Sequence, residues 1–168
     1  MTKATIICDL DGTLCNIEHR LHHVQRDDGK LQRKPDWDAF FAEVSGDELV
    51  QPVMQLLEQM THYNGLRYEI IFCTGRPERT RADTEEWLAD NRFRRDIGKA
   101  PYPNYTYYNG LYMRKDGDYR RDDIVKQEIL DAHINKDSVL FVLDDRQSVV
   151  DMWRRNGMTC FQVAKGDF

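Results

Sequence analysis

Ala4-Thr5-Ile6-Ile7-Cys8-Asp9-Leu10-Asp11-Gly12-Thr13-Leu14 is a short apolar run that ends abruptly in two carboxylates two residues apart. A continuous apolar run of this length suits a strand buried on both faces, and the acidic turn falls where that strand leaves its sheet. Asp9 and Asp11 on one tightening turn repel each other unless a cation is shared between them, and magnesium suits an all-oxygen site. Gly12 permits backbone geometry that a side chain would forbid, and the Thr13 hydroxyl can bond nearby amides and fix the loop.

Taken alone, these residues leave two other readings open. Asp-Gly is also ordinary turn chemistry on a solvated surface. An Asp-x-Asp pair can also hold a metal and a diphosphate without attacking anything, as in nucleotide-sugar glycosyltransferases. The remainder of the chain has to decide.

Composition narrows the classes. The 168 residues are expected to form one domain, 1–168, with residues 15–48 as a small flap or cap insertion after the first strand. A hydrophobic content of 40% with 32% charged residues describes a soluble globular chain. The start runs directly into a strand without a signal peptide, and no apolar run approaches the ~20 residues that span a bilayer. Cys8, Cys15, Cys73 and Cys160 show no Cys-x-x-Cys spacing, so reduced thiols and a cytoplasmic location are expected. The balance of 24 basic and 29 acidic residues, a net charge of −5, argues against a broad non-specific nucleic-acid surface and leaves room for a local basic groove.

Residues 15–36, rich in His, Arg, Lys and Asp without periodicity, read as a loop or hairpin beside the site, from which Arg20 could reach a substrate phosphate. His19, His22 and His23 lack partners at metal-site spacing and read as solvated. Trp37, Phe40, Phe41 and Val44 recur at helical spacing, and a second helix is expected over 48–63, with Pro52 in its first turn and a stop at Asn64-Gly65. A strand over 68–73 then ends in Thr74-Gly75-Arg76-Pro77, which supplies a hydroxyl, a turn and a cation before a helix reaching about Asn91. The N-terminus of that helix would favour an anion.

The basic residues Arg92, Arg94, Arg95 and Lys99 read as a solvated face. Tyr102, Tyr105, Tyr107, Tyr108 and Tyr112 surround a strand expected within 105–113; such a composition could stack nucleobases, but most of these rings read as structural. Asp122-Asp123 open a helix with Lys126 one turn later, so Asp122 can hold the ammonium in place. The apolar run 138–143 then ends in Asp144-Asp145-Arg146, repeating the opening pattern, before a helix through Val149 to Trp153 that closes at Gly157 and a last strand over 160–164.

Strands alternating with helices imply an α/β fold with a doubly wound parallel sheet, Rossmann-like, in which each of these turns falls at a strand's carboxyl end. With the motifs Asp9-x-Asp11-Gly-Thr, Thr74, Lys126 and Asp144-Asp145 in this order, the chain resembles the haloacid dehalogenase superfamily of aspartyl phosphohydrolases. More narrowly, Thr74-Gly75-Arg76, the run from Arg121 to Ile129, and Asp144-Asp145-Arg146 through Trp153-Arg154-Arg155 to Gly166-Asp167-Phe168 are similar to the 3′-phosphatase domain of bacteriophage polynucleotide kinase/3′-phosphatases. Those enzymes carry a kinase half, whereas no Gly-x-x-x-x-Gly-Lys-[Ser/Thr] loop occurs here. No kinase activity is expected of this chain, and a separate kinase or ligase partner stays open.

The resemblance implies a magnesium-dependent phosphomonoesterase acting on 3′-phosphorylated nucleic-acid ends. In it, Asp9 would be the nucleophile and Asp11 the proton donor and acceptor, and Thr74 and Lys126 would bind the transferring oxygens. Asp122 would orient Lys126, Arg20 and Arg76 would grip the substrate phosphate, and Asp9, Asp11, Asp144 and Asp145 would hold the metal. A small-molecule phosphatase or nucleotidase of the same superfamily is the nearest alternative. A phospho-accepting receiver module fits less well, because receivers place the acidic pair first and the phosphorylated Asp in mid-chain.

Overall fold

The computed structural model describes residues 4–62, 68–98 and 104–166. β1 (Ala4–Cys8) leads into the acidic loop and is followed by β2 (Cys15–Asn16), a 3₁₀ turn (Glu18–His23), α1 (Trp37–Ala42) and β3 (Glu48–Leu49). Next come α2 (Gln51–His62), β4 (Tyr68–Pro77), α3 (Arg81–Asp90), β5 (Phe93–Arg95), β6 (Thr106–Tyr108) and β7 (Gly110–Arg114). α4 (Asp122–His133), β8 (Val139–Arg146), α5 (Gln147–Arg155) and β9 (Cys160–Gly166) follow.

Five strands form one parallel sheet in the order β7-β4-β1-β8-β9. Successive residues of β1 point to opposite faces, and each face finds helices. Ile6 and Cys8 join Phe72, Val53 and Leu57 of α2, and Trp87 and Leu88 of α3 in one apolar cluster. Ile7 joins Ile71, Val142, Val125 and Ile129 of α4, and Val149 and Trp153 of α5 in the other. Coverage on both sides explains why β1 and β8 are apolar without alternation, and it makes the sheet doubly wound.

Strand order reverses between β1 and β8, the point where such sheets open a crevice at their carboxyl ends. Cys8 lies in register with Phe72 on one side and Leu143 on the other, and the Asp9 amide donates to the Leu143 carbonyl at 3.0 Å. Asp9 and the pair Asp144-Asp145 are therefore abreast.

Several boundaries differ from those expected. β4 runs through Thr74-Gly75-Arg76 to Pro77, which lies in register with Arg114 after a break in the pairing, and β8 similarly takes in Asp144-Asp145-Arg146. Pro77 is thus extended, at φ −73 and ψ 151, and α3 begins only at Arg81 after a 3₁₀ turn (Glu78–Thr80), so no helix N-terminus lies at Thr74. The helix expected from residue 48 starts at Gln51 because Glu48–Leu49 first pairs with β2. The expected stop at 63–65, Lys99 and Tyr102 lie outside the described residues. Within 105–113 there are two strands: β6 pairs with β5 in a separate small sheet, and β7 is the outer strand of the main one. Among the described residues no helix is long and apolar enough to cross a membrane.

Candidate active site

The end of β1 and the end of β8 bring Asp9, Asp144 and Asp145 together, with one carboxylate oxygen of each within 4.8 Å of the others, all three buried. Gly12, at φ +81, and Gly166 border Asp145 so closely that a Cβ at either would overlap its carboxylate. Burial and the neighbouring Asp144 raise the Asp145 carboxyl to about 6, and burial likewise pushes Asp9 above the usual carboxylate range despite the nearby ammonium of Lys126. Such a cluster carries more negative charge than its surroundings compensate. Its all-oxygen donor set and its charge both fit a hard divalent cation such as magnesium.

Among the described residues, Lys126, projecting from α4, is the cation bonded directly into this group. Its Nζ lies 2.9 Å from an oxygen of Asp9 and 2.9 Å from one of Asp144, and the side chain is only 2% exposed. Burial alone would discharge it, but Asp144 and Asp9 outweigh that and keep it protonated. Trp153, placed by the sequence on the last helix, donates its indole N–H to the same Asp144 oxygen at 3.1 Å. A buried indole needs an acceptor, and here it fixes a candidate metal ligand.

Asp11 belongs to a different group. Its Oδ1 accepts Arg20 Nη2 at 2.7 Å, Arg76 Nε at 2.8 Å and Arg76 Nη2 at 2.6 Å. Asp47, just before β3, shares both arginines: its carboxylate accepts Arg20 Nε at 2.7 Å and Arg76 Nη2 at 2.5 Å. The Arg20 guanidinium also lies over the Phe40 ring at 4.2 Å, and Arg76 reaches Thr84 at 3.3 Å. Burial raises the Asp11 carboxyl, but Arg76 and Arg20 more than offset this and hold it at about 2. The described hydrogen bonds all use Oδ1, while Asp11 itself lines the cleft above Asp9.

Arg20 and Arg76, expected to grip the substrate phosphate, have carboxylates as their direct partners in this structure. Both side chains are fully buried and paired with Asp11 and Asp47. Thr74 is also fully buried, and its hydroxyl accepts the Arg76 amide at 3.3 Å. Asp47 escaped the sequence because Ser45-Gly46-Asp47 looks like any acidic turn. Its partners are 27 and 29 residues away, and only the fold brings them together.

Asp122 makes its direct ion pairs with arginines and acts on Lys126 through its charge alone. It pairs with Arg114, and with Arg146 Nη1 at 2.7 Å, whereas Lys126 is held by Asp9 and Asp144. One turn of helix does put Asp122 and Lys126 on the same side, but the arginines at the ends of β7 and β8 reach Asp122 first. Asp122 therefore shapes the rim of the cleft, a cavity of about 340 Å³ with Asp9, Asp11, Lys126 and Asp145 in its lining and Arg79, Arg114, Arg121 and Arg146 around it. His19 lies 3.8 Å from Asp47, and His23 pairs with Glu43 at 3.0 Å.

Comparison with known proteins agrees with this geometry. Residues 3–168 match the family described as the polynucleotide kinase PNKP phosphatase domain. Two chains from structures of a Pnkp1/Rnl/Hen1 complex, one described as an RNA repair complex, are each 34% identical, with TM-scores of 0.72 and 0.73 over 99% and 100% of this chain. This chain spans 44% and 48% of those two, less than half of each. A magnesium-bound haloacid dehalogenase-type protein from Bacillus subtilis, YfnB, shares the fold at a TM-score of 0.57 with 8% identity, over 98% of this chain and 95% of that one. A strand-end carboxylate cluster, a buried lysine on α4 and a family match over nearly every residue lead to one assignment: the chain belongs to the PNKP phosphatase-domain family of the haloacid dehalogenase superfamily.

Proposed function

We propose that this chain is a magnesium-dependent phosphomonoesterase that removes 3′-phosphate from polynucleotide ends through an aspartyl-phosphate on Asp9. The observation that carries the reading is the position of Asp9: at the floor of an arginine-rimmed cleft, against Lys126 and beside two further buried carboxylates. That set accepts a phosphoryl group and a divalent cation together.

Asp9 attacks phosphorus, forming a bond between its carboxylate oxygen and phosphorus as the bond to the sugar 3′-oxygen breaks. Lys126 offers its ammonium to the transferring oxygens from between Asp9 and Asp144. Thr74, buried within β4 next to Gly75 of the cleft lining, is proposed to complete that oxygen site. Asp9, Asp144 and Asp145, with the Asp11 carbonyl, would hold magnesium, which when bound supplies positive charge that cancels repulsion between Asp9 and the incoming phosphate. Water then attacks the aspartyl-phosphate, its proton passes to Asp11, and the Asp9 carboxylate is regenerated.

Two arginines hold Asp11 ionised, which suits the second step directly. In the first step Asp11 has to give a proton to the leaving alkoxide, so it must take up that proton on the oxygen that faces away from the guanidinium groups. Arg20 and Arg76 are accordingly proposed as positioning residues for Asp11. Residues 15–48 are proposed as the cap over the cleft, through α1. The relatives from a Pnkp1/Rnl/Hen1 complex support a setting in nucleic-acid end repair, where a separate kinase or ligase would act on the product.

With magnesium present, a 3′-phosphorylated oligonucleotide should release inorganic phosphate, and Asp9→Asn should lower the rate at least about a thousandfold. Undiminished turnover in that variant would sink the mechanism. If 3′-mononucleotides or sugar phosphates were better substrates than the oligonucleotide, the polynucleotide assignment would fall while the phosphatase assignment stood.

A further inference from the structure

Tyr119 is 90% exposed, an unusual state for a large aromatic side chain, and it stands at the mouth of the cleft that holds Asp9 and Lys126. A single exposed ring on a loose loop would mean little. This loop is fixed. Arg114 Nη1 donates to the carbonyls of Asp118 at 3.0 Å and Arg120 at 2.7 Å, on either side of Tyr119, while Nε donates to Gly75 at 2.9 Å. The same guanidinium pairs with Asp122, and the Asp118 carboxylate accepts the Arg120 amide at 3.0 Å. The ring is presented outward on a rigid support.

Trp37 and Phe41 of α1, also in the lining of the cleft, stack at 6.0 Å with an interplanar angle of 26° and form an apolar wall. The cavity of about 340 Å³ lies near the lower end of the range for small-ligand pockets, room for one terminal nucleotide and little more. A second base would have to lie at the mouth, where Tyr119 stands. Lys115 and Arg121 flank it; Lys115 is exposed and makes no ion pair among the described residues, and Arg121, its side chain 71% exposed, reaches Asp123 at 3.1 Å. An aromatic platform between basic side chains is how single-stranded nucleic acid is held without reading its sequence.

We propose that Tyr119 stacks on the base next to the terminal nucleotide of a single-stranded 3′ end, with Lys115 and Arg121 taking the adjacent backbone phosphates. Trp37 and Phe41 form the wall against the terminal nucleoside. The proposal rests on the 3′-phosphatase reading above and names what makes a strand a better substrate than a mononucleotide.

The test measures KM for wild type and Tyr119→Ala on two 3′-phosphorylated oligonucleotides, one intact and one with an abasic residue at the penultimate position. Removing either the ring or the base should raise KM about tenfold, and removing both should be no worse than removing one. Tyr119→Phe should keep the wild-type KM within about twofold. Penalties that multiply, single changes without effect, or a Phe variant that behaves like Ala would each overturn the proposal. A folding defect in Tyr119→Ala acts on both substrates alike and shows itself as multiplication. If wild type released no phosphate from the intact strand, the polynucleotide reading would fall with the proposal; release without coupling would remove the proposal alone.

Discussion

Asp9 and Asp11 are neighbours in the chain, yet they sit in two clusters of opposite electrostatic design. Asp11 and Asp47 face Arg20 and Arg76, two carboxylates against two guanidinium groups, all linked by direct hydrogen bonds. Among the described residues, Lys126 pairs directly with Asp9 and Asp144, and Arg146 acts on Asp145 through its charge. The first group is balanced by direct pairs, whereas the second sets three carboxylates against one directly bonded ammonium. The charge deficit, more than the number of acidic residues, marks where a cation and a phosphate would bind.

The largest expected effect comes from unbalancing the closed group. Arg76→Met would leave Asp11 and Asp47 buried with half their compensation, which should lower stability by roughly 3–5 kcal/mol and the melting temperature by about 10 °C. Arg76→Lys should recover only part, since a single ammonium cannot replace a fork that touches both carboxylates. A melting temperature within about 2 °C of wild type for Arg76→Met would erase the distinction between the clusters.

The open group should respond in the opposite sense. Magnesium at a hundredfold excess over its dissociation constant should stabilise the wild-type protein by about 2.7 kcal/mol. Asp145→Asn, which removes one of the repelling carboxylates, should equal or exceed the metal-free wild type by about 1 kcal/mol and gain little on adding magnesium. Thermal melts with chelator and with magnesium measure both. A variant that is several degrees less stable without metal would show that the cluster is already compensated.

The smallest effect is expected from a surface pair that resembles the closed group only on paper. Arg120 and Glu128 meet at 2.7 Å with side chains 49% and 60% exposed. Glu128→Ala should leave the melting temperature within about 1 °C and phosphate release unchanged, because solvent screens such a pair. A larger shift would mean that the loop carrying Tyr119 depends on it.

Much of the fold was legible in the sequence because apolar runs ending in carboxylates can be read locally. β1 and β8 share that pattern, and Thr74 and Lys126 follow from position relative to a strand or a helix start. What could not be read was pairing across distance. Arg20 and Arg76 look like phosphate ligands until Asp47 closes on them from beyond α1, and Asp122 looks like a partner for Lys126 until Arg114 and Arg146 arrive at the ends of β7 and β8. The strand ends differ for a similar reason: Thr74-Gly75-Arg76-Pro77 has turn composition, yet pairing with β7 resumes at Pro77 opposite Arg114 after a break over 74–76.

Asp47 also sets limits on motion. Arg20 opens the segment between β2 and β3 and Asp47 closes it, and the pair is buried together with Arg76 and capped by the Trp87 indole on the Asp47 carbonyl at 2.7 Å. Lifting the whole segment away would carry bare charges through the apolar layer between the sheet and α3. The segment is therefore pinned at its two feet, and whatever freedom it has is confined to the arch between them.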